Sequence, residues 1–173
     1  MKDRRELKCG LMETALGWVG VVGGAKGITR TVLPRASAQE ALEALHEGLR
    51  ADLVRDDVAF AEVLDAFRRF CTGEPQELDF PLDLSEGTPF QQRVWNAVRA
   101  IPYGKTASYQ DIAWEVGCPK GPRAVGQAMG RNPVPLIVPC HRVVQSGGGL
   151  GGFGGGLPLK RRLLEMEAGA SSG

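Results

Sequence analysis

Cys140 and His141 are adjacent, in the segment "NPVPLIVPCHRVVQ" that runs from Asn132 to Gln145. A thiol, with a free pKa of ~8.5, becomes a nucleophile near neutral pH when a base takes its proton or nearby charge lowers its pKa. An imidazole held by a carboxylate can be that base. The apolar run from Leu136 to Val138, bracketed by Pro135 and Pro139, predicts a buried strand leading to the thiol. Successive side chains of a strand point to opposite faces, so Cys140 and His141 would meet only across a turn or through a water. The dipeptide alone leaves two readings open, a nucleophile and a buried core thiol. Cys9, Cys71 and Cys118 are scattered, and His46 is the only other histidine. That spacing points to neither a disulfide framework nor a metal cluster, and the expectation is free thiols in a reducing compartment.

Composition bounds the setting. The 173 residues suit one ordinary domain or two small ones. No apolar run approaches the length of a membrane span, and the N-terminal segment lacks the apolar core of a signal peptide, so a cytoplasmic location is expected. The net charge of +1 conceals an asymmetry. Residues 1–87 carry 11 Lys and Arg against 16 Asp and Glu, a balance of −5, and residues 88–173 carry 10 against 4, a balance of +6. A basic second half fits attraction to a polyanion such as nucleic acid. The basic N-terminal residues Lys2, Arg4, Arg5 and Lys8 are read as solvated.

The elements that must position the thiol follow from local pattern. Residues 11–33 read as strands around a Gly-rich turn, a hairpin. Two amphipathic helices follow, one behind a Ser37 cap and one ending at Gly73. His46 is read as a helix-surface residue and Cys71 as a core thiol. The polar, Pro-containing stretch 74–87 coincides with the change of charge. It gives domains at 1–80 and 88–173 with a linker at 81–87. Thr88-Pro89-Phe90-Gln91 predicts a helix start with a capping box, and Ser108-Tyr109-Gln110-Asp111 predicts another. A third helix runs from Pro122 to Gly130, so two short helices joined by "GCPKGP" form a candidate helix-turn-helix.

The last of these helices, "RAVGQAMGRN", is poor in bulky side chains. Gly126 costs it roughly 1 kcal/mol relative to Ala. Close packing against another helix is one explanation. A slim helix that presses into a minor groove is the other, because a major-groove reader carries long polar side chains to the base edges. Nine of the eleven residues from Ser146 to Gly156 are Gly or Ser. This stretch lacks the Lys-Ser/Thr ending of a phosphate loop and is read as an ordered loop whose backbone approaches a ligand. A helix with Leu159, Leu163 and Leu164 inward and Lys160, Arg161 and Arg162 on its polar side follows, and Ala168 to Gly173 reads as a frayed tail.

Three segments, "IPYGKTASYQDIA", "RAVGQAMGRNPVPLIVPCHRVV" and "GGFGGGLPLKRRLLEMEA", resemble the C-terminal domain of the O6-alkylguanine-DNA alkyltransferases, the methylated-DNA–protein-cysteine methyltransferases. The resemblance spans about Thr88 to Glu167. Residues 1–80 are compatible with the family's variable N-terminal domain. The implied fold is an α/β RNase-H-like unit followed by a mainly α, winged helix-turn-helix-like unit. The implied activity is irreversible transfer of the alkyl group of O6-alkylguanine, with O4-alkylthymine as an allowed extension, from a flipped nucleotide to Cys140. His141 would act on the thiol through a water, and Glu167 would hydrogen-bond the histidine. Asn132 would pin the turn before the active site. Arg123 would fill the space of the extruded base, and Tyr109 would help rotate the target phosphate and donate to the base. Ala124, Gly126 and Gln127 would face the minor groove of the duplex. Pro139, Val143, Gly152, Phe153, Gly154 and Gly155 would line the base pocket. No cofactor, no metal, no membrane and no protein partner is implied, and the chain would act as a monomer.

Phe153 stands where family members commonly carry a tyrosine, keeping the ring without its hydroxyl. Gly154 stands where some carry a serine, so a donor there would be a backbone N–H. Three other functions fit parts of the pattern: a lesion binder without an acceptor, against which Cys140 speaks; a helix-turn-helix regulator; and a thiol hydrolase that turns over.

Overall fold

Two glycines in the left-handed region, Gly17 (φ 129°) and Gly27 (φ 128°), follow the turns that fold the N-terminal segment into a meander. Strands β1 (Arg5–Thr14), β2 (Gly17–Gly24) and β3 (Gly27–Arg35) are antiparallel neighbours. After helix α1 (Ala38–His46) the chain returns as β4 (Ala51–Arg55), parallel to β1 with Leu7 opposite Leu53. The order is β3-β2-β1-β4, a mixed four-stranded sheet. The structure, a computed structural model, describes residues 5–171. Lys2, Arg4, Ser172 and Gly173 therefore lie outside it, and the chain divides into two units between Asp83 and Leu84.

In the first unit the alternation of β1 decides which helix covers which face. Cys9 and Leu11 join Val22, Val32, Ala41 and Leu45 in a buried cluster under α1. Gly10 points the other way, where an added Cβ would stand 3.0 Å from Leu64 and 3.2 Å from Phe60. Leu64 belongs to α2 (Ala61–Cys71), which buries Val63, Leu64, Phe67, Phe70 and Cys71. A helix thus packs on each face of the sheet. Ser37 caps α1 by accepting from the Glu40 N–H at 3.1 Å. Two expectations fell short here. The sheet begins at Arg5 rather than near residue 11, and β4 was not foreseen, because "ADLVR" lacks a clear alternation of apolar and polar residues.

The connector runs alongside the edge strand. Ile28 N donates to Pro81 O and Asp83 N donates to Ile28 O, both at 2.9 Å. A Cβ on Gly27 would stand 2.6 Å from Pro81 O, so this glycine serves both the turn and the approach of the connector.

The second unit begins with α3 (Pro89–Arg99), whose capping box between Thr88 and Gln91 is fully formed. Trp95 on α3 donates its indole N–H to Ala128 O at 2.8 Å, tying it to α5 (Pro122–Gly130). A two-residue strand β5 (Ala107–Ser108) leads into α4 (Tyr109–Glu115), started by the capping box of Ser108 and Asp111. The chain then reaches a 3₁₀ turn, Cys140–Arg142, and strand β6 (Val143–Val144), parallel to β5. Helix α6 (Leu157–Ser171) closes the unit.

Three readings need correction. Leu136–Val138 is not a strand: Leu136 has φ 75°, Val138 N donates back to Val134 O, and the segment is a buried turn. α6 continues to Ser171, past the expected fraying point at Ala168. Lys160, placed on the polar side, is wholly buried. Among the described residues, no helix is long and apolar enough to cross a membrane.

Gly27→Ala should lower the stability of the first unit by about 2 kcal/mol or more, since it adds left-handed strain to a backbone collision. Urea unfolding of the variant beside the parent checks this, and equal midpoints would contradict it.

Candidate active site

The 3₁₀ turn changes the geometry of the Cys-His pair. Cys140 is half-buried and lines a cleft, whereas His141 and Arg142 turn inward and are buried. Both meet Glu167, which α6 carries into the interior with 1% of its surface exposed. His141 Nε2 lies 2.5 Å from Glu167 Oε2. Arg142 donates to both carboxylate oxygens, Nε to Oε1 at 2.7 Å and Nη2 to Oε2 at 3.2 Å. Its Nη1 donates to Ile101 O at 2.8 Å, and Gly104 N adds a donor to Oε1 at 3.2 Å. The guanidinium carbon also stands 5.5 Å from the centre of the Tyr103 ring.

Burial works to raise the carboxyl pKa of Glu167, but the hydrogen bonds and charge of His141 and Arg142 outweigh it and hold it below the usual range. Burial pushes the imidazole of His141 down, with Glu167 opposing in part. The ring is then neutral near pH 7. Because an ionised carboxylate only accepts, Nε2 carries the proton and donates it to Glu167, leaving a lone pair on Nδ1 able to take a proton.

The thiol side is held by a separate set of bonds. Asn132 Oδ1 accepts from Val134 N at 2.9 Å and its Nδ2 donates to Val138 O at 3.0 Å, which closes the turn before the cysteine. Burial raises the pKa of Cys140, while the Asn132 side chain and the Lys160 ammonium oppose the rise. The thiol therefore rests protonated and needs a base.

The cleft has a volume of about 680 Å³. Its wall includes Cys140, Tyr109, Arg123, Gly126, Gln127, Gly152, Phe153 and Gly154, all of which the sequence had singled out. His141, Glu167 and Asn132 stand behind the cysteine. Ala124 lies on α5 off the cleft wall, and Pro139, Val143 and Gly155 are not among its lining residues. Val143 is instead fully buried. A Cβ on Gly126 would lie 3.7 Å from the Tyr109 ring, ordinary contact, so packing does not demand this glycine.

Sequence reasoning missed Gly151, Met129, Arg142 and Lys160. Gly151 has φ 75°, and a Cβ there would stand 2.5 Å from the Tyr109 hydroxyl. Lys160 Nζ donates to the carbonyls of Val143 (2.6 Å), Gly152 (3.3 Å) and Leu150. A lysine among leucines near a helix start was a signal only in hindsight. No group of three potential metal-binding side chains occurs among the described residues.

The two buried shifts have the same sign in acid. Glu167 has a depressed folded pKa, so its contribution is present above the unfolded value of ~4.3 and is lost as pH falls through the folded value. For His141 the folded pKa is also depressed, so below ~6.5 the unfolded chain binds the proton first and stability again falls with acid. Urea unfolding of the parent should weaken steadily from pH 7 to pH 4. Glu167→Gln should start about 1–3 kcal/mol lower at pH 7 and should lack the further loss that the parent shows when the series is extended from about pH 4 to pH 3. Parallel profiles would contradict this assignment.

With the geometry in hand, three comparisons agree. The family model for the 6-O-methylguanine DNA methyltransferase DNA-binding domain matches residues 89–169. The methylated-DNA–protein-cysteine methyltransferase of Mycobacterium leprae is 40% identical over 161 residues, 93% of this chain and 92% of that protein. Its Mycobacterium bovis counterpart is 49% identical over 126 residues, 73% of this chain and 76% of that protein. A crystal structure of Mycobacterium tuberculosis OGT in complex with DNA is 39% identical, covers 94% of each chain and superposes with a TM-score of 0.81. The O6-methylguanine-DNA methyltransferase of Pyrococcus kodakaraensis is 29% identical over 92% of this chain and 98% of that one, with a TM-score of 0.72. The chain belongs to the methylated-DNA–protein-cysteine methyltransferase family.

Proposed function

We propose that the chain repairs DNA by moving the alkyl group of O6-alkylguanine, and by extension O4-alkylthymine, onto Cys140, once per molecule. The observation that carries this is a cleft whose wall holds a thiol, backed by a buried imidazole-carboxylate pair. The thiol proton passes through a water to Nδ1 of His141, and Glu167 stabilises the imidazolium formed. The sulfur then attacks the alkyl carbon. As the S–C bond forms the C–O6 bond breaks, and its electron pair goes to the guanine. Tyr109 and backbone N–H groups of the Gly-rich loop stabilise the departing guanine anion by hydrogen-bond donation, the guanine takes one proton from solvent, and the imidazolium of His141 returns one to it. A thioether has no easy leaving path, so the protein is consumed.

The substrate carbon is out of reach in a stacked duplex, so the nucleotide is flipped into the cleft. Arg123, exposed on the first turn of α5, fills the space it leaves. Ala124, Gly126 and Gln127 give α5 a slim surface for the minor groove, where contact need not read sequence. The Mycobacterium tuberculosis relative crystallised with DNA supports DNA as the partner. In this reading residues 1–80 form the RNase-H-like domain, 81–87 the linker and 88–173 the winged helix-turn-helix-like domain. The protein works as a monomer without a cofactor, and the free thiols Cys9, Cys71, Cys118 and Cys140 fit a cytoplasmic setting.

Incubation with duplex DNA carrying O6-methylguanine should add one methyl group, on the peptide that contains Cys140. Cys140→Ser should abolish the gain. Turnover beyond one equivalent, or methylation on the Cys118 peptide, would contradict the proposal.

A further inference from the structure

The Gly-rich loop from Ser146 to Gly156 forms part of the cleft wall, yet Leu150 and Phe153 are its only side chains larger than serine. Glycine loses more conformational freedom on ordering than any other residue, so such a loop needs an external tether. Lys160 is fully buried, and an ammonium is among the costliest groups to bury. Its three N–H donors meet three acceptors. One is Val143 O on β6, and the others are Leu150 O and Gly152 O in the loop. With every donor committed to carbonyls, the ammonium has none to offer a substrate, which excludes a direct role as proton donor.

What it does control is the facing of the loop peptides. In a trans peptide the N–H points opposite to the C=O. Drawing Leu150 O and Gly152 O to the ammonium therefore turns the Gly151 and Phe153 N–H groups to the other side. Gly152 O also accepts from the Tyr109 hydroxyl at 3.5 Å, and Nζ stands 5.9 Å from the centre of the Tyr109 ring. The same ammonium thereby ties the loop to Tyr109.

We propose that Lys160 is the positioning residue of the base pocket, a buried cation that fixes the loop's peptide orientation and its distance from Tyr109 through three carbonyls. This rests on the alkyl-transfer reading for its effect on rate, but not for its effect on the loop.

Two variants test it, Lys160→Met, which keeps length and loses all donors, and Lys160→Arg, which keeps the charge. Hydrogen exchange of residues 146–156 in Lys160→Met should quicken about tenfold or more, with α3 and α5 unchanged. Methyl transfer from O6-methylguanine should slow about a hundredfold, both in duplex DNA and as the free base, because the pocket itself is displaced. Duplex affinity should stay within about threefold, iodoacetamide labelling of Cys140 should slow in Lys160→Met because the ammonium that favours the thiolate is gone, and Lys160→Arg, which keeps the charge, should restore labelling and recover part of the transfer rate. A lysine needed only for stability would lower duplex affinity and transfer together and would quicken exchange in α3 and α5 as much as in the loop, and that pattern would overturn the proposal. Unchanged exchange in the loop would overturn it whatever happened to the rate. If the parent protein failed to transfer methyl at all, the function proposed above would fall, and the exchange measurement would still decide the role of Lys160.

Discussion

Glu167 is a carboxylate kept ionised inside the protein, and much of the second unit stands where it does because that charge must be met there. Leaving such a group uncompensated costs several kcal/mol. α6 delivers the carboxylate, and compensation comes from two other places in the chain: His141 and Arg142 in the 3₁₀ turn and the Gly104 N–H after α3. Breaking such a cluster is costly, but replacing it with well-packed apolar groups is often neutral or stabilising. Stability alone therefore does not explain its presence. Its position beside Cys140 fits the role proposed for it, because an imidazole that donates from Nε2 carries its lone pair on Nδ1.

The same logic separates the two buried cations. Arg142 spends its fork on Glu167 and Ile101 O and so fixes the carboxylate that meets His141. Lys160 spends its three donors on backbone carbonyls and so stiffens the pocket. Burial also raises the pKa of Cys140, with the Asn132 side chain and the Lys160 ammonium opposing it.

How much of this was legible beforehand depended on range. The caps at Ser37, Thr88 and Ser108 were readable because each is settled within four residues. So was the α4–α5 pair, with its Gly- and Pro-marked turn. The resemblance in the second half led directly to Cys140 and its neighbours. What escaped were features set by distant partners. Leu136–Val138 has the apolar content of a strand, but Asn132 ties Val134 and Val138 into a turn around it. That turn, followed by a 3₁₀ turn, replaces the expected strand, with Cys140 on the cleft and His141 turned inward to Glu167. Lys160 carries a charge and so was placed outward; only the carbonyls of Val143, Leu150 and Gly152, brought in by tertiary structure, make its burial tolerable. β4 escaped for a related reason, since its pairing with β1 is long-range and its own pattern is weak.

The central claim is that the His141–Glu167 pair takes the thiol proton. The most direct measurement is the single-turnover rate of methyl transfer at saturating O6-methylguanine duplex, in the parent and in Glu167→Gln, with duplex affinity measured alongside. General-base assistance of this kind contributes about 10²–10⁴-fold, so the variant should be slower by a large part of that factor while binding the duplex as before. An unchanged transfer rate, with affinity preserved, would contradict the account.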